Sequence, residues 1–361
     1  MAELIAPRKT VSVTFALEPV YNAIASFSLL DMAEDFTGLG EWVYRTAEAL
    51  SPKERHTNRH VLGDAVIHLL GEASWPSFAA WVDDLAAREA TALRDDVVRA
   101  LFAKAYNRAD REVPAPAEIL ADPTAFLTLV EEIYAGKREP TERALWEDTR
   151  GMLIDPPLVQ QRIVTHLRTL WEGGLAAEWE RHLPMLEESI AAFQSLDMSG
   201  LTAIEALIRV SLREVPPPVH GGWLDEVEQI IFIPSAHTGP YLLHFGGHGQ
   251  TMARVIYGAR VPEGAAIRSP ALSRSELLMR LNALANDTRL RILELLAPQE
   301  ELGTSEIMER LDLSQSAASR HLEHLAATGY LIMRGDKRAN LYRLNPDQID
   351  RTFRALKAFC R

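Results

Sequence analysis

The sequence contains a single cysteine, Cys360, among 361 residues. One thiol cannot form a disulfide within the chain, which excludes a small secreted fold held together by disulfides. There is also no secretory signal and no apolar run long enough for a transmembrane helix. We therefore expect a cytoplasmic protein in which Cys360 is an inert exposed or interfacial thiol.

Motifs that mark common enzymes are missing as well. The chain holds no G-x-S-x-G elbow, no G-x-x-x-x-G-K-[ST] phosphate loop, no G-x-G-x-x-G opening of a dinucleotide fold and no H-E-x-x-H helix. Each motif exists because its chemistry needs those side chains at that spacing. We therefore expect a protein that is not an enzyme, with no catalytic residue, no metal and no cofactor.

Acidic residues outnumber basic ones, and the formal net charge is −12. The excess is unevenly placed, because residues 273–361 hold 14 Lys and Arg against 12 Asp and Glu. This segment is weakly basic, and the rest of the chain carries the whole negative excess. Such an asymmetry is typical of an acidic domain attached to a DNA-binding domain.

The feature that is present is a helix-turn-helix pattern, LDLSQSAASRHLEHLAATGYL, at Leu311–Leu331. We predict that one helix ends near Leu311, that the chain turns through Asp312 and Leu313, and that a second helix opens at Ser314. The Ser314 hydroxyl can accept a hydrogen bond from the free backbone N–H groups of the first turn.

The second helix, predicted over residues 314–328, is amphipathic. Ala318, Leu322 and Leu325 recur at i, i+4 and i+7, which predicts one buried stripe. The opposite face carries short polar side chains and charged ones: Gln315, Ser316, Ser319, Arg320 and Glu323. Arg and Gln can make bidentate hydrogen bonds to base edges, and Ser can reach bases or phosphates. This face therefore suits the major groove of DNA.

Three helices are predicted ahead of residue 314, and the last of them is the first helix of the helix-turn-helix. A Ser273/Glu276 capping box opens the first, Asp287 caps a second at Thr288–Ala297, and a third covers Ser305–Leu311. In the second helix we expect a buried leucine stripe and two outward arginines: Leu290, Leu293 and Leu296, with Arg289 and Arg291.

Downstream, Gly329 is placed for a left-handed helix end. Strands are predicted at Tyr330–Arg334 and Leu341–Leu344, with a basic wing, residues 334–340, around the turn between them. A last helix, Pro346–Phe359, has an apolar stripe for which the small domain offers no cover: Ile349, Phe353, Leu356 and Phe359. We therefore expect a second subunit against it, and against the stripe Leu277, Leu281 and Leu284 of the first helix.

Together the segments ALANDTRLRILELLA, LSQSAASRHLEHLAATGYL and GDKRANLYRL resemble the ArsR/SmtB family of bacterial winged-helix repressors over residues 273–361. The resemblance implies a homodimer, with the first and last helices of the domain at the interface. It also implies DNA contacts from the second helix of the motif and from the wing: Ser314, Gln315, Ser316, Ser319, Arg320 and His321, then Arg334, Lys337 and Arg338. For His321, a packed and hydrogen-bonded side chain at the buried rim is an equal alternative.

The sequence departs from the metal-sensing members of that family. The helix at Ser305–Leu311 lacks the Cys-x-Cys pair that such members often carry, and no histidine follows His324 to bind zinc from the last helix. Arsenic needs thiolates, and the chain has one. We therefore expect neither metal nor arsenic to be the effector.

Residues 1–268 are predicted to form a mainly helical domain, and residues 269–361 the winged helix-turn-helix domain, with a linker at 262–270. The fold class is mainly α with small β elements (α+β). A small antiparallel sheet is expected within 223–260, and Val11–Phe15 is a candidate further strand. The FALEPVYN opening and this arrangement are similar to a helical domain of unassigned function that precedes ArsR-type domains in some longer bacterial regulators.

The predicted elements of that region are ten helices and three strands. The helices are Tyr21–Ala33, Leu39–Leu50, Asn58–Leu70, Pro76–Ala87, Thr91–Tyr106, Ala125–Tyr134, Glu142–Met152, Leu158–Glu172, Leu175–Gln194 and Leu201–Arg213. The strands are Glu228–Ile233, Tyr241–Phe245 and Met252–Tyr257.

Two histidine groups lie in the same region. His56, His60, Asp64 and His68 recur every four residues, but each step drifts by about 40° on a 3.6-residue turn, so the four cannot meet one ion. The HFGGHG segment at 244–249 is interpreted as a hairpin loop.

We predict a DNA-binding transcriptional regulator, a repressor, that binds double-stranded operator DNA as a homodimer and does not bind membranes. The N-terminal domain is predicted to sense a non-metal small molecule or to stabilise the dimer. Two alternatives stay open: a ligand-free scaffold, and an enzyme fused to its own regulatory domain. An enclosed apolar cavity would favour sensing, and perturbed acid–base groups in a cleft would favour the enzyme.

Overall fold

A computed structural model describes residues 9–59, 61, 66–71, 73–108, 114–134, 143–212, 224, 226–246, 250–262, 264–265, 270–336 and 339–360. The chain forms two compact units. Unit 1 comprises Met1–Leu17, Met32–Tyr44 and Arg181–Arg361, and unit 2 comprises Glu18–Asp31 and Arg45–Glu180. The predicted domain boundary between residues 268 and 269 falls at positions outside the described residues and stays a prediction.

The fold is mainly helical with small sheets, as predicted. The described helices up to residue 212 are α1 Pro19–Ser28, α2 Glu41–Ala49, α3 Pro52–Asn58, α4 Phe78–Ala87, α5 Ala90–Arg108, α6 Pro116–Ala121, α7 Pro123–Tyr134, α8 Arg143–Leu153, α9 Pro156–Leu170, α10 Ala176–Gln194 and α11 Ala203–Ser211. Several begin with proline, whose fixed φ and missing N–H suit the first turn. None of the described helices combines the length and the apolar character that a membrane span requires.

Four strands of unit 1 form one sheet: β1 Ser12–Phe15, β2 Gln229–Ser235, β3 Leu242–Gly246 and β4 Met252–Gly258, in the order β1-β2-β4-β3. The prediction of an antiparallel sheet was wrong in its pairing. β1 pairs β2 in parallel and β2 pairs β4 in parallel, whereas β3 and β4 are antiparallel. β2 and β4 are buried almost throughout, which is typical of strands covered on both faces.

The core of this sheet is aromatic. Phe15 on the edge strand stacks on Phe193 of α10 at 5.1 Å and on Phe232 of β2 at 5.5 Å between ring centroids. Tyr257 of β4 meets Phe193 edge-on at 5.3 Å. The candidate strand at Val11–Phe15 therefore does join the sheet, and these ring contacts help to fix it there.

The last part of unit 1 has the elements of a winged helix-turn-helix: α12 Pro270–Leu284, α13 Asp287–Leu296, β5 Leu302–Gly303, α14 Thr304–Leu311, α15 Gln315–Ala327, β6 Leu331–Asp336, β7 Ala339–Leu344 and α16 Pro346–Phe359. The three strands pair antiparallel in the order β5-β7-β6. The predicted last helix is confirmed at both ends, and the two predicted wing strands are confirmed with ends at most two residues from the prediction.

Two details of this part differ from prediction. α12 begins at Pro270, so Ser273 lies inside the helix and Glu276 pairs with Arg280 instead of forming a capping box. Asn286 rather than Asp287 caps α13, because its side chain accepts the Arg289 N–H at 3.1 Å. The second difference arises because Asn286 and Asp287 are adjacent and either side chain can cap a helix.

The predicted orientation of α13 was also partly wrong. Leu290 is 50% exposed, whereas Ile292 is fully buried beside Leu293 and Leu296. Arg289, predicted to point outward, is only 5% exposed. The helix is therefore rotated relative to the leucine stripe, because Arg289 finds buried hydrogen-bond acceptors.

The histidine series does not lie on one described helix. His56 lies in α3, with its Nε2 atom 3.7 Å from a carboxylate oxygen of Asp148, and His68 lies in a short 3-10 helix, Val66–Leu69. His60 and Asp64 are outside the described residues. β3 and β4 are antiparallel neighbours, as expected of a hairpin, although residues 247–249 between them are outside the described residues too.

Candidate nucleic-acid interface

The turn between α14 and α15 is set by local backbone chemistry. Asp312 ends α14 in the left-handed conformation with φ 53°, which Asp tolerates better than most side chains do. Ser314 then caps α15, since its hydroxyl oxygen accepts the Ala317 N–H at 3.3 Å. The predicted turn and the predicted cap are confirmed.

α15 buries one face and exposes the other. Ala318, Leu322 and Leu325 are fully buried, and the two leucines belong to the core of the winged part. The other face is exposed at Gln315, Ser316, Arg320 and Glu323, while Ser319 is half-buried. A helix that begins with short polar side chains on its exposed face can enter the major groove without steric obstruction from that face.

A two-stranded wing follows this helix. Gly329 takes φ 79° at the end of α15, and β6 and β7 pair from Leu331 with Leu344 to Asp336 with Ala339. The Arg334 side chain is 65% exposed, and its guanidinium lies 2.7 Å from a carboxylate oxygen of Glu301. Lys337 and Arg338, the other predicted wing contacts, lie outside the described residues.

Known proteins share this segment. Residues 284–332 match the family model described as a helix-turn-helix domain. Over 64 residues the chain is 42% identical to the arsenic resistance transcriptional regulator ArsR1 of Pseudomonas putida. The aligned segment is 18% of this chain and 50% of that protein. Over 69 residues it is 39% identical to the transcriptional activator HlyU of Vibrio cholerae. This aligned segment is 19% of this chain and 63% of that protein. The C-terminal region is an ArsR-type helix-turn-helix domain.

The ArsR-type domain presents its predicted contact residues unequally. Ser314, Gln315 and Ser316, at the start of α15, are exposed. The Arg320 side chain is 44% exposed, and its guanidinium lies 3.1 Å from a carboxylate oxygen of Asp35. The start of the helix is therefore open to solvent, while its middle already carries an ion pair.

His321 is half-buried, which keeps both of its predicted roles open. Burial lowers the pKa of its imidazole, and the nearby guanidinium groups of Arg289 and Arg320 lower that pKa further. A neutral imidazole can still donate one hydrogen bond and accept another.

Sequence reasoning missed His324, one turn after Arg320. Its side chain is fully buried, and its Nδ1 atom hydrogen-bonds the Thr37 hydroxyl. Its Nε2 atom is buried without a hydrogen-bond partner among the described residues. Burial, and then the charge of Arg289, lowers the pKa of His324 to about 3, so that the ring is neutral at physiological pH. No sequence pattern indicated this, because Thr37 is 287 residues away.

The buried Arg289 belongs to the same group of side chains. Its guanidinium donates to the backbone oxygens of Ala283 at 2.6 Å and Asn282 at 2.7 Å, and to the Thr37 hydroxyl at 3.3 Å. Burial lowers the pKa of Arg289, but each of its three guanidinium nitrogens donates to an oxygen, which offsets part of the cost of burial. Arg289 therefore positions α13, Thr37 and His324 and is not exposed for DNA.

Unit 2 contains a separate buried polar chain that sequence reasoning also missed. Asn58 donates to a carboxylate oxygen of Asp31 at 3.1 Å, and its own side-chain oxygen lies 3.0 Å from Nε2 of His166. Burial raises the pKa of Asp31 to about 6 and lowers that of His166 to about 4. These hydrogen bonds are those that a buried polar network needs for stability.

Proposed function

We propose that the protein is a DNA-binding transcriptional regulator whose α15 reads double-stranded operator DNA. The observation that carries the proposal is the exposed, polar start of α15 above a fully buried apolar stripe, within a domain of the ArsR type. A cytoplasmic location follows from DNA as the target. No catalytic step is part of the proposal.

The chemistry of the exposed side chains supports base contacts from some of them and phosphate contacts from others. The Gln315 amide can accept one hydrogen bond from an adenine edge and donate another to it, and the Arg320 guanidinium can donate two to a guanine edge. Ser314 and Ser316 are short enough to bond phosphate oxygens close to the helix N-terminus, whose dipole favours anions. Arg334, with Lys337 and Arg338 from the sequence, would bind phosphates along the backbone.

To test the proposal, the operator is selected from genomic fragments by the purified chain, and affinity is measured by fluorescence anisotropy against operator and random DNA. Arg320→Ala is expected to lower the ratio of operator to random-DNA affinity by about tenfold, since a bidentate base contact contributes about 1–3 kcal/mol. A matched loss of one exposed arginine, Arg162→Ala in α9 of unit 2, should leave the ratio unchanged. An unchanged ratio in Arg320→Ala would show that another residue reads the bases.

The wing is predicted to supply affinity without sequence preference. Lys337→Ala combined with Arg338→Ala should weaken operator and random DNA by similar factors, because phosphates are the same in both. The slope of log affinity against log salt should become shallower by about 0.9 per lost phosphate contact. A Glu228→Ala control should change neither quantity much. A large loss of the operator-to-random ratio in the wing variant would contradict this assignment.

We also propose a homodimer formed through α12 and α16. Of the apolar stripes predicted to lie at this interface, Leu277 is buried, and Leu284 and Ile349 pack on the domain's own core. Three large apolar side chains of these helices are exposed: Leu278 at 57%, Phe353 at 54% and Phe359 at 53%. α16 packs on its own domain through a different face, where Gln348 donates to the Thr328 oxygen at 2.8 Å and Thr352 bonds the Tyr330 hydroxyl at 2.8 Å. The phenylalanines are therefore available to a second copy.

Repression is proposed from the resemblance to ArsR/SmtB repressors, while one relative, HlyU, is described as an activator. A reporter gene behind the selected operator decides between the two, since a repressor lowers its expression and an activator raises it.

We propose that residues 1–268 sense a non-metal small molecule or stabilise the dimer. Native mass spectrometry of protein purified from its own host tests for the small molecule.

The enzyme alternative rests on the perturbed pair Asp31 and His166 in unit 2. Both shifts come mainly from burial, and Asn58 bonds both groups, which favours a structural role over a catalytic one. A co-purified ligand that is chemically changed by the wild type, but not by His166→Asn, would instead support the enzyme.

A further inference from the structure

A segment from the N-terminal part of unit 1, residues 32–44, lies against the DNA-reading helix. Asp35 forms the ion pair with Arg320 at 3.1 Å, and Thr37 hydrogen-bonds His324 one turn further along α15. Both contacts join residues that are more than 280 positions apart in the sequence. We call residues 32–44 the cover segment.

The cover segment is held in place by the loop that follows β2. The Phe36 ring meets Tyr241 edge-on at 4.5 Å, and the Tyr241 hydroxyl donates to the Thr37 oxygen at 3.0 Å. The Gly40 N–H donates to the His237 oxygen at 2.9 Å. Backbone and aromatic contacts of this kind give the segment a defined conformation.

The fit between the segment and α15 is close. Gly38 has φ +85°, and a Cβ atom added to it would lie 2.9 Å from Nε2 of the buried His324. Glycine permits both the left-handed backbone and the close approach. The contact is therefore complementary in shape as well as in charge.

We propose that the cover segment is an autoinhibitory contact that competes with DNA for the reading face of α15. The inference rests on the proposed function, because it concerns the same helix. While Arg320 is paired with Asp35, its guanidinium is not free to bond a base edge in paired geometry. Operator binding therefore requires that this ion pair open. The apparent affinity of the protein for the operator is lower than that of the form in which the pair is already open.

The test removes the contact in two independent ways. Asp35→Asn removes the charge that holds Arg320, and operator affinity is expected to rise about two- to fivefold, the range for breaking an exposed ion pair. Gly38→Ala leaves every charge in place and pushes the segment away from His324, and we expect it to raise operator affinity as well. Thr37→Val, which removes the hydroxyl bonded to His324 and Arg289, serves if Gly38→Ala does not fold by circular dichroism.

Matched controls separate the contact from bulk charge. Glu34→Gln removes an equal charge from the neighbouring exposed position and should change affinity by less than about twofold. In an Arg320→Ala background, Asp35→Asn should give no further gain, because its partner is already absent. Random-DNA affinity should respond weakly in all of these variants.

Each result of these measurements either supports autoinhibition or overturns it. Gains from Asp35→Asn and from an uncharged release variant, with the Asp35→Asn gain lost in the Arg320→Ala background, support autoinhibition. Unchanged or weakened operator binding in the folded release variants, or an equal gain from Glu34→Gln, overturns it while leaving the proposed function intact. A folded wild type that selects no DNA sequence would overturn the proposed function and this inference together.

Discussion

Phe353→Glu is expected to dissociate the proposed homodimer and to weaken operator binding by about 100-fold or more. Burying a phenylalanine side chain contributes about 1.5–3 kcal/mol, and a two-fold interface buries two copies, so the loss is at least about 3 kcal/mol. Each 1.4 kcal/mol is about tenfold in an equilibrium constant. A carboxylate in the interface adds the cost of its desolvation.

Sedimentation velocity at micromolar concentration measures the oligomeric state, and fluorescence anisotropy measures operator affinity. Ile154→Glu is a matched control, because Ile154 is 52% exposed in unit 2 and receives the same charge. That variant should remain dimeric. A wild type that sediments as a monomer, or a Phe353→Glu variant that stays a dimer, would refute the interface.

Acid is expected to destabilise the ArsR-type domain through His324. The buried ring has a pKa of about 3 in the folded protein and an ordinary value of 6.5 when unfolded. The unfolded chain therefore binds more protons below pH 6.5, and the free energy of unfolding falls as pH falls. Between about pH 7.5 and about pH 5 the loss from this one group is about 2 kcal/mol.

Urea unfolding at both pH values, followed by circular dichroism, measures this loss. His324→Gln should be less stable at neutral pH but should lose about 2 kcal/mol less on acidification than the wild type. Equal pH dependence in the wild type and His324→Gln would show that His324 is not kept neutral by the fold.

Two groups of unit 2 also contribute to the acid response of the wild type. The pKa of His166 is lowered to about 4, so this group lowers the free energy of unfolding as pH falls below 6.5, as His324 does. Asp31, with its pKa raised to about 6, acts oppositely, because protonation is favoured in the folded state as pH falls from about 6 towards 3.8. The comparison of His324→Gln with the wild type cancels both contributions.

The helix-turn-helix itself was determined by the sequence. The spacing of Ala318, Leu322 and Leu325 predicts which face of α15 is buried, and Ser314 and Gly329 predict where it starts and ends. These are local effects, since capping, left-handed termini and 3.6-residue periodicity act within a few residues. For the same reason the exposed residues Gln315, Ser316 and Arg320 could be predicted without tertiary structure.

The sheet illustrates a limit of local patterns. The alternating and apolar runs located the strands, but β1 and β2 pair in parallel although they are more than 200 residues apart. Strand pairing depends on which chain segments meet, and similar strand sequences suit parallel and antiparallel neighbours. Only the tertiary structure decided that order.

The tertiary structure also decided the environment of α15. Arg289 was predicted to point outward and no role was predicted for His324, yet both side chains are buried and bond Thr37. Asp35 reaches Arg320 only because the cover segment is held by the loop after β2. A buried polar side chain depends on a partner that neutralises the cost of its desolvation. Since that partner lies more than 250 residues away, the sequence determined the exposed polar face of α15 and the fold determined which segment lies against it.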